Sequence, residues 1–241
     1  MKNKILIFVI TYKASFRVLK VIKRIPFKYF KNKRFKILIS DDNSRDNTID
    51  FIKKIKKKYK SKVVVNFNKF NMGYGRHIKQ CINYAYKNKY SYAVMIHGDN
   101  QYDPKYSSIM VNNLINNKNL SATVGSRMTR KINALKGKMP FYKFVGNIFL
   151  TGIFNLLHGT RFTDCHTGYW GYNLDLIKRN TFKDLDNNFC FDIDLRLKLI
   201  SKNKKIQEVP IKTFYGTERS SYHFIYATRF FFKTIAFRIF K

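Results

Sequence analysis

The chain has 241 residues, 45% of them hydrophobic, enough to bury a full core and to exclude wholesale disorder. Its 48 Lys and Arg against 14 Asp and Glu leave a formal net charge of +34. Such a charge points to anionic partners, whether a membrane surface, nucleic acid or a phosphorylated substrate, while Lys and Asn dispersed along the whole sequence also fit compositional drift.

Strand and helix patterns alternate from the start. The apolar run Lys4–Thr11 reads as a strand and not as a leader, because Tyr12 and Lys13 follow it with no small-residue cleavage site. Phe35–Ser40 reads as a second strand and runs into the acidic turn Asp41-Asp42-Asn43-Ser44. Asp46–Tyr59 is a basic amphipathic helix with Ile49, Ile52, Ile55 and Tyr59 at helical spacing. Val63–Phe67 is a third strand and Arg76–Asn88 a second helix. Tyr92–Ile96 reads as a buried strand that stops at His97-Gly98-Asp99-Asn100-Gln101. A helix over Pro104–Asn116, opened by its proline, and a strand over Ser121–Gly125 complete the first half. This alternation predicts an α/β fold with a mostly parallel sheet.

After Ser126 the rhythm changes. Phe141–Leu157 is a long apolar stretch of helical character, followed by a strand-turn around Thr163–Tyr172. A helix over Asp192–Ser201 and an edge strand over Lys205–Ile211 come next. The tail Tyr222–Lys241 is aromatic and basic and carries no acid, which suits either an interfacial helix or a helix docked on the core. No uncharged run approaches the roughly 20 residues of a membrane span. Cys81, Cys165 and Cys190 are odd in number and far apart, which fits a reducing compartment and neither a disulfide framework nor a zinc site.

In an open α/β sheet, ligands bind outside the carboxyl ends of the strands, so the acidic turns after the second and fourth strands mark the site. Asp99 and Gln101 offer hard oxygen donors of the kind magnesium or manganese requires, and His97 offers an imidazole acceptable to manganese. Helix capping is the competing reading for Asp103 before Pro104 and for the Asp41–Asp46 turn.

The ordered motifs ITYK, SDDNSRDNT, NMGYGRHIKQ, HGDNQYDP, GSRM, DCHTGYWGYN, FDID and IQEVPI resemble the family 2 glycosyltransferases. Within them the likeness is to the branch of dolichyl-phosphate mannosyltransferase and bacterial polyprenyl-phosphate sugar transferases. The resemblance runs from Ile5 to Ser221 and implies a GT-A fold. A Rossmann-like nucleotide-sugar half would cover residues 1–127, an acceptor half residues 128–221, and the C-terminal helix residues 222–241. It also implies inverting transfer from a nucleotide-diphosphate sugar donor, with Mn2+ or Mg2+, to a polyprenyl phosphate or membrane-linked glycan. Such an enzyme would be cytoplasmic and peripheral on an anionic membrane surface.

By matching motifs, the resemblance places nucleotide-sugar contacts at Tyr12, Asp41, Asp42, Gly73, Arg76, Arg127, His166 and Arg219. Metal ligands fall on Asp99, Gln101 and His97, and catalytic roles on Asp99, Asp164 and Asp194. His97 stands where the family usually has its first carboxylate, and Trp170 where it often has an arginine. A polyprenyl phosphate is already an anionic nucleophile, whereas a sugar hydroxyl needs a general base, for which Asp194 or Asp164 is the candidate. Asp192 and Asp194 occupy alternate helix positions, so only one of them readily points into the cleft. Two rival readings stand beside this one. A catalytically impaired scaffold of the same fold is motivated by His97 and Trp170. A basic nucleic-acid-binding protein explains the charge but not the acids at strand ends, and no nucleic-acid motif is present, so no specific nucleic-acid partner is expected.

Overall fold

Lys4–Thr11 (β1) and Arg34–Asp41 (β2) run side by side in parallel, with Ile7 opposite Ile37 and Thr11 opposite Asp41. Alternation along β1 sends Ile5, Ile7 and Val9 into one core layer and Leu6, Phe8 and Ile10 into another. A strand buried on both faces reads as a continuous apolar run, which is how β1 is written. The computed structural model describes residues 3–31, 33–213, 215 and 224–240.

Val63–Phe67 (β3), Tyr92–His97 (β4), Leu120–Ser126 (β5), Trp170–Asn173 (β6) and Lys205–Pro210 (β7) complete a seven-stranded sheet. Its order is β3-β2-β1-β4-β6-β5-β7, with β6 antiparallel to both its neighbours and the other pairings parallel. The mostly parallel sheet flanked by helices is therefore the observed architecture, and β7 lies at its edge as the sequence predicts.

Helices Arg17–Arg24 (α1), Phe27–Phe30 (α2), Thr48–Tyr59 (α3), Tyr74–Lys87 (α4) and Tyr106–Asn116 (α5) belong to the first half. Lys131–Lys136 (α6), Phe141–His158 (α7), Phe191–Ser201 (α8) and Phe224–Ile239 (α9) follow. Sequence reasoning assigns nothing between Thr11 and Phe35, yet α1 buries Val18, Val21 and Ile22 at helical spacing, so the signal was present. Of the two readings of the tail, docking on the core is what the structure holds. Phe230 and Thr234 of α9 are buried, and Phe230 packs against Phe154 of α7. Among the described residues no helix is long and apolar enough to cross a membrane.

Candidate active site

Because β2, β1 and β4 are parallel neighbours, the segments leaving them emerge at one edge of the sheet. Tyr12 follows β1, Asp41 closes β2 with Asp42 next to it, and His97 closes β4 ahead of Asp99 and Gln101. Tyr12 is half exposed and open to stacking. The two neighbouring aspartates are not open in this way. Asp41 is fully buried and accepts hydrogen bonds from the Thr11 hydroxyl at 2.9 Å, the Ser44 hydroxyl at 2.7 Å and the Ser44 N–H at 2.8 Å. Asp42 accepts from Asn68 Nδ2 at 2.8 Å and from the N–H groups of Met72 and Gly73 at 2.9 and 3.1 Å. Asp42 thus pins the loop that leads into α4. Gly73 caps that helix at φ +83°, a left-handed conformation that favours glycine, and Arg76 one turn on is exposed.

At His97 the loop after β4 meets α4 and the segment that precedes β6. The Tyr74 hydroxyl of α4 lies 3.4 Å from His97 Nε2, and Tyr102 packs edge-on against the imidazole at a centroid distance of 5.2 Å. Gly168 presses so close that a Cβ there would stand 2.8 Å from the Tyr74 oxygen and 3.0 Å from His97 Nε2. Burial lowers the His97 pKa against the opposing pull of Asp99, which favours a neutral imidazole. Asp99 Oδ1 accepts the Gln101 N–H at 2.9 Å in a local turn.

Among the described residues no three His, Cys, Asp or Glu side chains converge to hold a metal by themselves. The donors at this turn, one carboxylate with a carboxamide and a neutral imidazole, suit an ion whose remaining ligands are substrate phosphates and water.

The Tyr74 hydroxyl donates to Asp192 Oδ2 at 2.8 Å, linking the start of α8 to this cluster. Asp192 Oδ1 is buried and has no hydrogen-bond partner among the described residues. Desolvation pushes the Asp192 carboxyl up to about 7, against the hydrogen bond from Tyr74 and the charge of Arg196, which pull it down. Burial also raises the Tyr74 phenol well above its ordinary range, so Tyr74 stays a donor. Asp192 and Asp194 point to different neighbours, as their alternate positions on α8 require, and the expected base Asp194 is the one taken up by an ion pair. Asp194 turns to α9, where both its oxygens accept Lys233 Nζ at 2.8 Å and one also accepts the Asp186 N–H at 2.9 Å.

Asp164 is equally occupied. It is fully buried and takes Arg127 Nε on one oxygen at 2.6 Å, and a terminal guanidinium nitrogen on the other at 2.8 Å. Asn147 Nδ2 at 2.8 Å and the N–H groups of Arg127 and His166, both at 3.1 Å, complete its shell. Although burial alone would raise it, the Arg127 charge and these donors hold Asp164 well below the usual carboxylate range. A carboxylate so held is a poor proton acceptor. Arg127 itself is buried and also donates to the Tyr215 hydroxyl at 2.9 Å. His166 lies against Phe230 of α9, and burial lowers it to about 4, with Asp164 opposing. Trp170 is wholly buried, under the guanidinium of Arg196, and fills the core. Arg219 lies outside the described residues.

A family model described as glycosyl transferase family 2 matches residues 6–180. An uncharacterized protein of Methanocaldococcus jannaschii is 28% identical over 195 residues, which covers 78% of this chain and 81% of that protein. Among solved structures, Mycobacterium tuberculosis glucosyl-3-phosphoglycerate synthase in complex with UDP superposes with a TM-score of 0.68 at 13% identity. That match covers 98% of this chain and 80% of the synthase. The same enzyme in complex with Mn2+, UDP and glucosyl-3-phosphoglycerate gives a TM-score of 0.65 at 13% identity, with the same coverage. A Pyrobaculum calidifontis mannosyltransferase in complex with GDP-Man and Mn2+ gives 0.62 at 11% identity, covering 92% of this chain and 59% of the mannosyltransferase. At these identities the likeness establishes a shared GT-A fold.

Proposed function

We propose, from the premise that this chain belongs to glycosyl transferase family 2, that it is a metal-dependent inverting transferase moving a sugar from a nucleotide diphosphate to a membrane-linked glycan hydroxyl. Asp192 carries this reading. It is a carboxyl raised to about 7, held on one oxygen by Tyr74 beside the His97 turn, with no hydrogen-bond partner for its other oxygen among the described residues. A base poised near neutrality is what hydroxyl activation requires. The ionised Asp192 carboxylate takes the acceptor proton as the hydroxyl oxygen attacks the anomeric carbon from the face opposite the leaving diphosphate, a step that requires the acceptor to reach a carboxylate now shielded from solvent. That approach inverts the centre.

Asp99, with Gln101 and His97, would hold a Mn2+ or Mg2+ ion completed by donor phosphates, and such an ion stabilises charge developing on the diphosphate. Tyr12 offers a ring for the base, and Arg76 offers an exposed cation near the loop that Asp42 fixes. Asp164 positions Arg127 and does not move a proton. Residues 1–127 supply the donor side and residues 128–221 the acceptor side. Buried free thiols at Cys81, Cys165 and Cys190 support a reducing, cytoplasmic setting.

A polyprenyl phosphate acceptor is the second reading, supported by the +34 charge. It would need no base, so the fate of an Asp192→Asn variant separates the two acceptors. The first experiment is a thermal-shift screen of nucleotide-diphosphate sugars with and without manganese. A donor that raises the melting temperature only with manganese is the expected result. No shift with any donor would sink the assignment.

A further inference from the structure

Helix α7 turns an apolar face outward. Phe141, Tyr142, Val145, Ile148, Phe149 and Leu156 are between 37% and 84% exposed. Their spacing places them on one stripe of a helix that is 18 residues long, or about 27 Å. The opposite face is tied into the protein. Asn147 donates to Asp164 at 2.8 Å, the Thr151 hydroxyl accepts the Cys165 N–H at 3.2 Å, and Phe154 is fully buried. A helix with one face committed in this way lies along a surface and does not cross it. Just before it, α6 adds Ile132 and Leu135, exposed by 59% and 41%, among the exposed cations Arg130, Lys131 and Lys136.

Soluble monomers rarely display a continuous apolar face of this size without an occupant. Charge selects that occupant. A second copy would bring two chains of formal charge +34 together. An anionic bilayer reverses the sign of that interaction, receives the aromatic side chains at the acyl boundary and the cations at the headgroups. We propose that the outward face of α7, together with α6, docks this protein on an anionic lipid surface. The inference rests on the membrane-linked-acceptor reading for its purpose alone, since no residue of the stripe belongs to the site described above.

The test is co-sedimentation of the full chain with vesicles of phosphatidylglycerol and phosphatidylcholine, and with phosphatidylcholine alone. Phe149→Glu combined with Leu156→Glu should lower partitioning onto the anionic vesicles at least about tenfold, because two apolar anchors leave the acyl boundary. The melting temperature and the donor-induced thermal shift of that variant should match the wild type. Lys131→Glu with Lys136→Glu should lower binding to anionic vesicles in low salt and leave the weak binding to phosphatidylcholine in place. Unchanged sedimentation of the Phe149/Leu156 variant would overturn the proposal, as would a wild-type protein that stays in the supernatant. Sedimentation velocity adds a further arm. A wild-type dimer that the same substitutions convert to monomer, without vesicle binding, would assign the face to a second copy. Vesicle binding without any donor-induced shift would leave the docking intact and remove the transferase reading.

Discussion

Asp164 is a fully buried carboxylate and Asp192 a half-buried one whose Oδ1 is shielded from water, yet their surroundings drive them in opposite directions. Asp164 receives a buried guanidinium on both oxygens together with Asn147 and two backbone N–H groups, and is held ionised. Asp192 receives one phenol on one oxygen, no donor among the described residues on the other, and rises to about 7. Desolvation is common to both. What differs is how many donors the fold delivers. A saturated carboxylate is a structural anion, and an under-satisfied one keeps a lone pair for a substrate proton. The same contrast separates Asp42, spent on fixing the loop before α4, from Asp99 at the turn after β4.

The largest effect should come from Asp192→Asn, which removes the proposed base and should lower turnover on a hydroxyl acceptor about 100- to 10,000-fold. In the wild type, turnover should climb as pH rises towards about 7 and level above it, because only the ionised form accepts a proton. Stability carries the opposite sign. A carboxyl whose folded pKa is raised costs stability progressively as pH rises above its ordinary value, with the full cost present above about 7. Asp192→Asn should therefore melt higher than wild type at about pH 8 and equally at about pH 3. Full turnover in a folded Asp192→Asn protein would break the contrast and favour the polyprenyl phosphate acceptor.

Asp99→Asn comes next, with turnover expected to fall at least about 100-fold if the proposed ion loses its anionic ligand. Manganese titration of both proteins checks it, since the variant should lose the metal-dependent donor shift while its melting curve without ligand is unchanged.

Asp164→Asn should act on stability. It leaves Arg127 charged and buried without its partner, which costs about 3–5 kcal/mol by denaturant unfolding. Because the Asp164 pKa is depressed, its contribution is present throughout neutral pH and is lost only as pH falls below the ordinary carboxylate range. An Asp164→Asn protein with wild-type stability would mean that the Arg127–Asp164 ion pair does not anchor this part of the fold.

The smallest effect concerns His97. Restoring a carboxylate there with His97→Asp should shift the preferred ion from manganese towards magnesium, read as the ratio of activities with the two metals. An identical ratio in both proteins would limit His97 to its contacts with Tyr74, Gly168 and Tyr102.

Much of this protein is determined locally. Strands β1 to β5 and the helices between the turns are legible because apolar runs end at Gly, Asp, Asn or Pro, and because helix α3 repeats isoleucine at the period of a turn. Parallel strands put their carboxyl ends on one edge, so the grouping of Tyr12, Asp41–Asp42 and His97–Gln101 also follows from sequence. What the sequence could not decide depends on the phase of one element against another. Strand β6 enters between β4 and β5 in the antiparallel sense, which no local pattern marks. Arg127 and Asp164 are 37 residues apart in sequence and meet only through packing. Asp192 and Asp194 differ by two positions, about 200° around α8, and that rotation alone sends one to Tyr74 and the other to Lys233 of α9. Residue type sets what a carboxylate is able to do. The neighbours that tertiary packing brings to it set its proton affinity, because desolvation and donor count are properties of the assembled surroundings.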